Sequence, residues 1–193
     1  MPGTITGYGN WATNLRATIG TIDDDEKRKF ITGWIGNYAP KVDIKKMNLV
    51  DFSNPDEQPK IIFDVKLTRY ANVSSSRLFL NPNLFSRTEL SLVEPEERVH
   101  DIFYLWQRSY TQELSIELPG SYTIESRPEN AALEEPFGTF HYEIREEESS
   151  RISYKRRRDI SQRIIPLEEY EAYHQFIDRI ESSDGSMMVL RRN

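Results

Sequence analysis

Three histidines are the side chains best suited to acid–base or metal chemistry at neutral pH. His100, His141 and His174 fall in three different predicted elements, and none has another histidine two or four positions away. A local metal site needs ligands at such short spacing, so a site here would depend on partners brought in by folding. We therefore expect surface or hydrogen-bonded histidines, with no metal site and no bound cofactor.

Nucleophiles of the usual enzymatic kinds are also missing from the sequence. The chain has no cysteine, which excludes disulfides, thiolate catalysis and cysteine metal sites. Serine is common, but no Gly-x-Ser-x-Gly elbow is present. The acidic runs at 146–148 and 168–169 are typical of a solvated hairpin loop and of a first helical turn. The sequence therefore predicts no catalytic residue.

The dense basic run Lys-Arg-Arg-Arg occupies residues 155–158. On a strand, Lys155 and Arg157 point one way while Arg156 and Arg158 point the other, so the run forms no continuous cationic face. We expect ion pairs across a hairpin rather than an anion site. The formal net charge of −6 repels phosphate backbones, so we expect no nucleic-acid partner.

The composition indicates a folded protein. A chain of 193 residues allows one large domain or two small ones, and 10 Tyr, 9 Phe and 3 Trp supply bulky core material. No run of about 18 apolar residues is present, so we expect no membrane span. The first residues lack the basic and apolar regions of a signal peptide, and a cut inside a longer protein fits the sequence equally well.

The first part of the chain alternates between apolar and polar residues. This alternation over residues 4–19, with several threonines, predicts one long strand. Gly7 and Gly9 indicate a bulge or a close backbone approach near the start of that strand.

A helix and a second strand are predicted next. Asp23 is a candidate N-cap, and apolar residues at helical spacing follow, from Phe30 to Tyr38, until Pro40 ends the helix. A predicted strand over 42–52 completes a strand-helix-strand segment, residues 1–55, which we expect to continue from an upstream domain. Residues 56–193 are predicted to form the main domain.

The bulky residues of the hairpin over residues 137–160 predict its register. Opposed residues lie on one face of a sheet, so pairing Ile144 with Tyr154 keeps the apolar side chains of both arms together. This pairing places Glu143 opposite Lys155 as an ion pair and leaves residues 148–150 as the loop.

The fold class follows from this series of short strands. Apolar residues between Leu167 and Ile180 predict a final helix, which residues 182–186 should break before a last strand over 187–190. We predict a mostly β fold, an antiparallel β-sandwich with two accessory α-helices, in which residues 56–193 form the sandwich and its C-terminal helix.

Short motifs in the C-terminal two-thirds carry a resemblance to a known family. They are a strand ending in Leu-Pro with a following Tyr (116–122, IELPGSY), a hairpin (140–154) and a final helix opening on Pro-Leu-Glu-Glu-Tyr (166–170) and reaching Phe176. This pattern resembles a domain of unknown function that follows the transglutaminase-like (papain-type) domain in multidomain bacterial proteins. With a weaker match over the first segment, the resemblance covers nearly the whole chain.

The resemblance implies a non-catalytic accessory domain in the periplasm or at the cell surface, with an upstream transglutaminase-like domain in cis as its partner. The family's catalytic Cys, His and Asp belong to that preceding domain, so no catalytic role is carried over to this chain. Two alternatives stay open. A stand-alone glycan- or peptide-binding sandwich should expose a row of aromatic side chains on one sheet face. An unrecognised hydrolase should show a cleft with a perturbed acid or histidine.

Gly7, Gly9 and Trp11 form the candidate binding site for the partner domain. Glycines admit another backbone at close range, and tryptophan is a favoured interface anchor. We expect this stretch to be an open edge of the first strand that docks against the upstream domain. The alternative is that Trp11 belongs to the core.

Overall fold

The computed structural model describes residues 1–37, 39, 41–85, 87, 92–105, 108–147 and 150–193. The protein is mostly antiparallel β, which confirms the predicted fold class, and helices accompany the sheets. The α-helices are α1 (Gly9–Ile19), α2 (Asp24–Gly36) and α3 (Tyr170–Gly185). The strands are β1 (Pro2–Tyr8), β2 (Lys41–Val50), β3 (Lys60–Thr68), β4 (Asn72–Ser74), β5 (Arg77–Leu80), β6 (Ile102–Phe103), β7 (Arg108–Glu117), β8 (Tyr122–Ser126), β9 (Ala131–Glu135), β10 (Gly138–Glu147), β11 (Arg151–Ile160), β12 (Ile164–Ile165) and β13 (Met188–Arg192).

The strands form one large sheet and two smaller ones. The large sheet has seven strands in the order β2-β3-β1-β7-β11-β10-β9, a second sheet has the order β4-β5-β13-β8, and β12 pairs with β6 in a short ribbon. β1 pairs with β3 on one side and with β7 on the other. The predicted boundary between segments 1–55 and 56–193 lies in the β2–β3 connection, so both segments contribute strands to the same sheet.

One face of the large sheet is buried and the other faces outward. Ile5, Phe63, Leu114 and Tyr154 point from neighbouring strands into one apolar core. The same core includes residues of all three helices and of the four-stranded sheet, which together form the covering layer. Among the described residues, no helix combines the length and apolar character that a membrane span requires.

The prediction of one strand over residues 4–19 is wrong beyond Tyr8. Gly9 adopts φ +51°, a left-handed conformation that suits glycine, and the chain turns there from β1 into α1. Ala12, Leu15 and Ile19 then bury one helical stripe against the sheet. The protein consequently has three α-helices in its described part, where the sequence predicted two.

The predicted helix after Asp23 is confirmed as α2. The Asp23 side chain accepts a hydrogen bond from the backbone N–H of Glu26, and the backbone N–H of Asp23 donates one to the Glu26 carboxylate, which completes a capping box. Ile31 and Ile35 are the buried positions of this helix. Tyr38 and Pro40, which the prediction placed at its end, lie outside the described residues.

The hairpin register is also confirmed, because Ile144 pairs with Tyr154 and Glu143 lies opposite Lys155. The expected ion pair between Glu143 and Lys155 does not form, because each side chain binds another partner. Lys155 binds Glu113 of β7 at 2.7 Å, and Glu143 binds Arg145 on its own strand at 2.6 Å. Residues 148 and 149 of the predicted loop lie outside the described residues.

The break predicted at residues 182–186 comes later than expected. α3 continues through Gly185, so Asp184 belongs to its last turn and is 1% exposed. Tyr173, Phe176, Ile177 and Ile180 form the buried stripe that seats this helix on the core.

Candidate functional site

A groove between α1 and α2 brings together two half-buried tryptophans and an exposed phenylalanine. Its volume is about 480 Å³. Trp11 of α1 faces Trp34 of α2 with ring centroids 6.1 Å apart, and Phe30 packs against Trp34 at 6.2 Å. The groove is lined by Trp11, Asn14, Leu15, Thr18, Phe30, Gly33, Trp34 and Asn37.

The two tryptophans are held from behind by the sheet and by a loop. Trp11 stacks on Tyr110 of β7 with ring centroids 5.5 Å apart. Trp34 donates a hydrogen bond from Nε1 to the backbone oxygen of Phe85, 3.1 Å away, and meets the Phe85 ring edge-on. These contacts fix both rings before any partner arrives, which lowers the entropy cost of binding.

Gly33 leaves one wall of the groove open. A Cβ added at this position would meet no atom within 4 Å, so nothing in the fold requires glycine there. Glycine inside a helix costs about 1 kcal/mol of stability relative to alanine. Glycine at position 33 therefore leaves space beside the aromatic rings and lowers the stability of the helix.

The structure places Gly7, Gly9 and Trp11 together at the junction of β1 and α1. A Cβ on Gly7 would lie 2.6 Å from the Trp11 ring, so the close approach at Gly7 is made by Trp11 itself. Gly9 supplies the turn between strand and helix. The expectation of an open sheet edge is wrong, because Gly7 pairs with Tyr110 and donates its N–H to the backbone oxygen of Pro59 on the other side. Trp11 itself is half-buried and lines the α1–α2 groove.

A second concentration of polar groups lies inside the core, around Arg156. Its Nε and Nη2 donate to the two carboxylate oxygens of Asp184 at 2.6 and 2.7 Å, and its Nη1 donates to the hydroxyl of Tyr110 at 2.8 Å. Asn83 donates to Asp184 Oδ1, and Asn81 donates to the Asp184 backbone oxygen, both at 2.9 Å. Arg156 is 0% exposed, so this cluster is closed to a substrate.

The charge on Arg156 is stabilised by its neighbours. Burial acts to lower the pKa of Arg156, but Tyr110 and Asp184 hold that pKa above its usual value. The guanidinium is therefore a permanent cation that ties β11 to the end of α3. The alternation of side chains along β11 could have shown that Arg156 is buried, because Arg156 shares a strand face with the buried Ile152 and Tyr154. No sequence signal identified Asp184 as its partner.

Two tyrosines beside this cluster have perturbed ionisation. Burial raises the pKa of Tyr142, with the nearby Asp184 carboxylate as a second cause. Burial likewise raises the pKa of Tyr154 well above its ordinary value. Within the described part of the chain, neither hydroxyl has a hydrogen-bond partner. Both phenols are enclosed in the core, where a substrate would not reach them.

The histidines are dispersed as the sequence predicted. His100 and His141 are exposed, and His174 lies 3.0 Å from Asp178 on the same helix. Among the described residues, no three His, Asp or Glu side chains come together as metal ligands.

The outward face of the large sheet has the character of a solvated surface. It carries charged and hydroxyl side chains such as Thr4, Glu113 and Lys155. A row of aromatic side chains, which a glycan-binding sheet face would show, is not found on this face among the described positions. Trp11, Trp34 and Phe30 lie away from this face, in the α1–α2 groove.

Comparison with protein families identifies a match over most of the second part of the chain. The family model described as "Domain of Unknown Function with solved-structure structure (DUF3858)" matches residues 76–190, more than half of the chain. No curated protein and no solved structure matches the chain. The match begins at the β4–β5 turn and ends in β13, so the α1–α2 groove lies outside the matched residues.

Proposed function

This chain belongs to the DUF3858 family of domains of unknown function, and we propose that it is a non-catalytic accessory domain that docks against a neighbouring domain of the same protein. The observation that carries the proposal is the α1–α2 groove, with Trp11 and Trp34 fixed from behind and Gly33 leaving space beside them. Aromatic anchors in preformed pockets account for much of the binding energy at protein interfaces.

We infer that the neighbour is a transglutaminase-like domain of papain type. The support is the resemblance of residues 116–176 to the domain that follows such enzymes in bacterial proteins. The neighbour would supply a cysteine nucleophile, which this chain lacks, and this domain would hold it at a fixed angle. By the same resemblance we propose a periplasmic or cell-surface location, which fractionation of the native host cells would test.

The burial of the polar groups supports a non-catalytic role. Arg156 and Asp184 bind each other inside the core, and the tyrosines with raised pKa values are enclosed beside them. The activity test uses the purified chain with amide and ester substrates. Turnover that survives purification and disappears on replacing His100, His141 or His174 would contradict the proposal.

The docking test compares two glycines of α2 in the natural full-length protein. Gly33 and Gly36 both have free space at the Cβ position, but only Gly33 lines the groove. Gly33→Leu should fill the groove and separate the domains, which small-angle scattering would record as a larger radius of gyration. Gly36→Leu is the matched control and should leave the compact shape unchanged.

Equal compactness of the two variants would refute docking through the groove. Trp11→Ser gives a second, independent variant, and its melting temperature shows whether the domain itself stays folded. A full-length protein without a Cys-His-Asp domain ahead of this chain would refute the choice of neighbour while leaving the groove to be tested.

A glycan- or peptide-binding module is the second candidate, because amide side chains of Asn14 and Asn37 lie beside the aromatic rings in the same groove. Rings with nearby amides suit sugar stacking and hydrogen bonding. Titration calorimetry of the isolated chain with peptidoglycan fragments would favour this candidate if heat is released by the native chain and by Gly36→Leu but not by Gly33→Leu.

A further inference from the structure

Exposed apolar side chains concentrate around the β6–β12 ribbon, far along the chain from the α1–α2 groove. Ten large hydrophobic residues are exposed in the described chain, and six of them lie within residues 93–105 and 164–167. The six are Val93, Val99, Phe103, Leu105, Ile164 and Leu167. We refer to Phe103, Leu105, Ile164 and Leu167 as the ribbon patch.

The strand pairing of the ribbon explains the geometry of this patch. Ile102 pairs with Ile165, and both side chains are buried below the ribbon. Phe103 pairs with Ile164, so these two side chains lie next to each other on the opposite, outer face. Phe103 is 71% exposed and Leu105 is 77% exposed. An outer strand face normally carries polar residues, and a cluster of large apolar ones marks an interaction surface.

Acidic residues flank the ribbon patch along the chain. Residues 92–105 and 162–170 contain six acids, at 94, 96, 97, 101, 168 and 169, against two arginines, at 98 and 163. Asp101 is held beside the patch, because its Oδ1 accepts the backbone N–H of Leu167 at 2.9 Å. Within the described residues none of the six carboxylates forms an ion pair, whereas Arg98 is occupied by the carbonyls of His100 and Asp101.

The negative charge near the ribbon patch indicates which kind of partner would bind there. Carboxylates without counter-charges attract lysine and arginine, and the apolar centre needs apolar side chains to cover it. We propose that the ribbon patch binds a basic amphipathic segment of a partner protein, with the segment's apolar side chains on Phe103 and Ile164. The lysines or arginines of that segment would lie against Asp101 and the glutamates that flank the ribbon patch.

The probe for this proposal is a fluorescein-labelled amphipathic helix of leucine and lysine, about 18 residues long. Fluorescence anisotropy with the native chain should show binding that weakens as salt is added, because screening reduces the attraction to the flanking carboxylates. A leucine–glutamate peptide of the same length should not bind. Equal affinity for both peptides would overturn the proposal.

Variants locate the binding on the chain. Phe103→Ser with Ile164→Thr should weaken the leucine–lysine peptide by about tenfold or more, since truncating apolar anchors removes most of the contact. Val73→Ser is the matched control, a 66% exposed valine away from the ribbon, and should change nothing. If the double variant unfolds, Leu105→Ser serves in its place, because Leu105 lies outside β6.

Three further results would overturn the proposal. The first is unchanged peptide affinity in the folded ribbon variants. The second is a loss of affinity in Gly33→Leu, which would assign the peptide to the α1–α2 groove. The third is a dimer of the native chain in analytical ultracentrifugation that the ribbon variants abolish, which would make a second copy the occupant. The proposed domain docking can fail in scattering without altering any of these peptide measurements.

Discussion

The buried ion pair between Arg156 and Asp184 leads to a quantitative stability prediction. Asp184→Asn would leave the guanidinium of Arg156, which is 0% exposed, without the counter-charge that now contacts it at 2.6 and 2.7 Å. Breaking a buried pair in this way costs about 3–5 kcal/mol. Because domains have unfolding free energies of roughly 5–15 kcal/mol, that loss is a large share of the total. Arg156→Met should cost a similar amount, since it leaves a buried carboxylate.

The double variant separates charge burial from packing. Arg156→Met with Asp184→Asn removes both charges together, and its remaining cost comes from hydrogen bonds lost by Tyr110 and Asn83, about 1–2 kcal/mol in all. The sum of the two single losses, about 6–10 kcal/mol, should therefore exceed the double loss by about 4 kcal/mol or more. Urea denaturation of the four proteins, with equal m values, gives the required free energies.

An exposed ion pair of the same shape is the control for this cycle. Arg77 contacts both carboxylate oxygens of Glu125, at 2.7 and 2.6 Å, but on the surface. Arg77→Met and Glu125→Gln should show a much weaker coupling, because water screens exposed charges. If the single losses at Arg156 and Asp184 simply add in the double variant, the buried pair does not act as a unit and the reasoning is refuted.

Three further predictions concern the core tyrosines and α2. Tyr142→Phe should leave stability unchanged or raise it by about 1 kcal/mol in urea denaturation, because it removes a buried hydroxyl without a hydrogen-bond partner in the described structure; a loss above about 1 kcal/mol would reveal a partner. Burial raises the pKa of Tyr142 and Tyr154 above 10.0, so the unfolded chain loses these protons first. The free energy of unfolding should then fall above about pH 10, by about 1.4 kcal/mol per pH unit for each tyrosine, and a flat profile would contradict this. Gly33→Ala should raise the unfolding free energy by about 1 kcal/mol, whereas a loss would mean that Gly33 is needed by the fold.

The features that the sequence predicted correctly depend on local patterns. The register of Ile144 against Tyr154 follows from keeping apolar residues on one face, and a slip by one residue would have exposed them. The start of α2 follows from Asp23 and Glu26, which lie three positions apart and cap the helix themselves.

The error at α1 arose because two periods fit the same residues. Trp11, Leu15 and Ile19 are four positions apart, so they share a face both on a strand and on a helix. The helix is favoured because α1 packs on β1 and β7 and because Gly9 adopts the positive φ that turns the chain out of β1. The α1–α2 groove was missed with it, since Trp11 faces Trp34 only when residues 9–19 are helical.

The buried cluster could not be predicted for a different reason. Strand parity places Arg156 on the core face, but its partner Asp184 lies 28 residues further along the chain. Asn83 and Asn81 lie 101 and 103 residues before Asp184. Nothing in the local pattern around any of these residues indicates the others, because their contacts depend on the complete topology.

The position of β13 bears on how the protein is made. β13 comes late in the chain, yet it lies between β5 and β8 in the four-stranded sheet. On a ribosome, both neighbours are synthesised well before the strand that joins them, and Arg156 is synthesised before Asp184. β8 would meanwhile present an unpaired edge, which is a hazard for aggregation. We therefore expect the nascent chain to stay incompletely folded until β13 has left the exit tunnel, and chaperones that shield exposed strands to matter most in that interval.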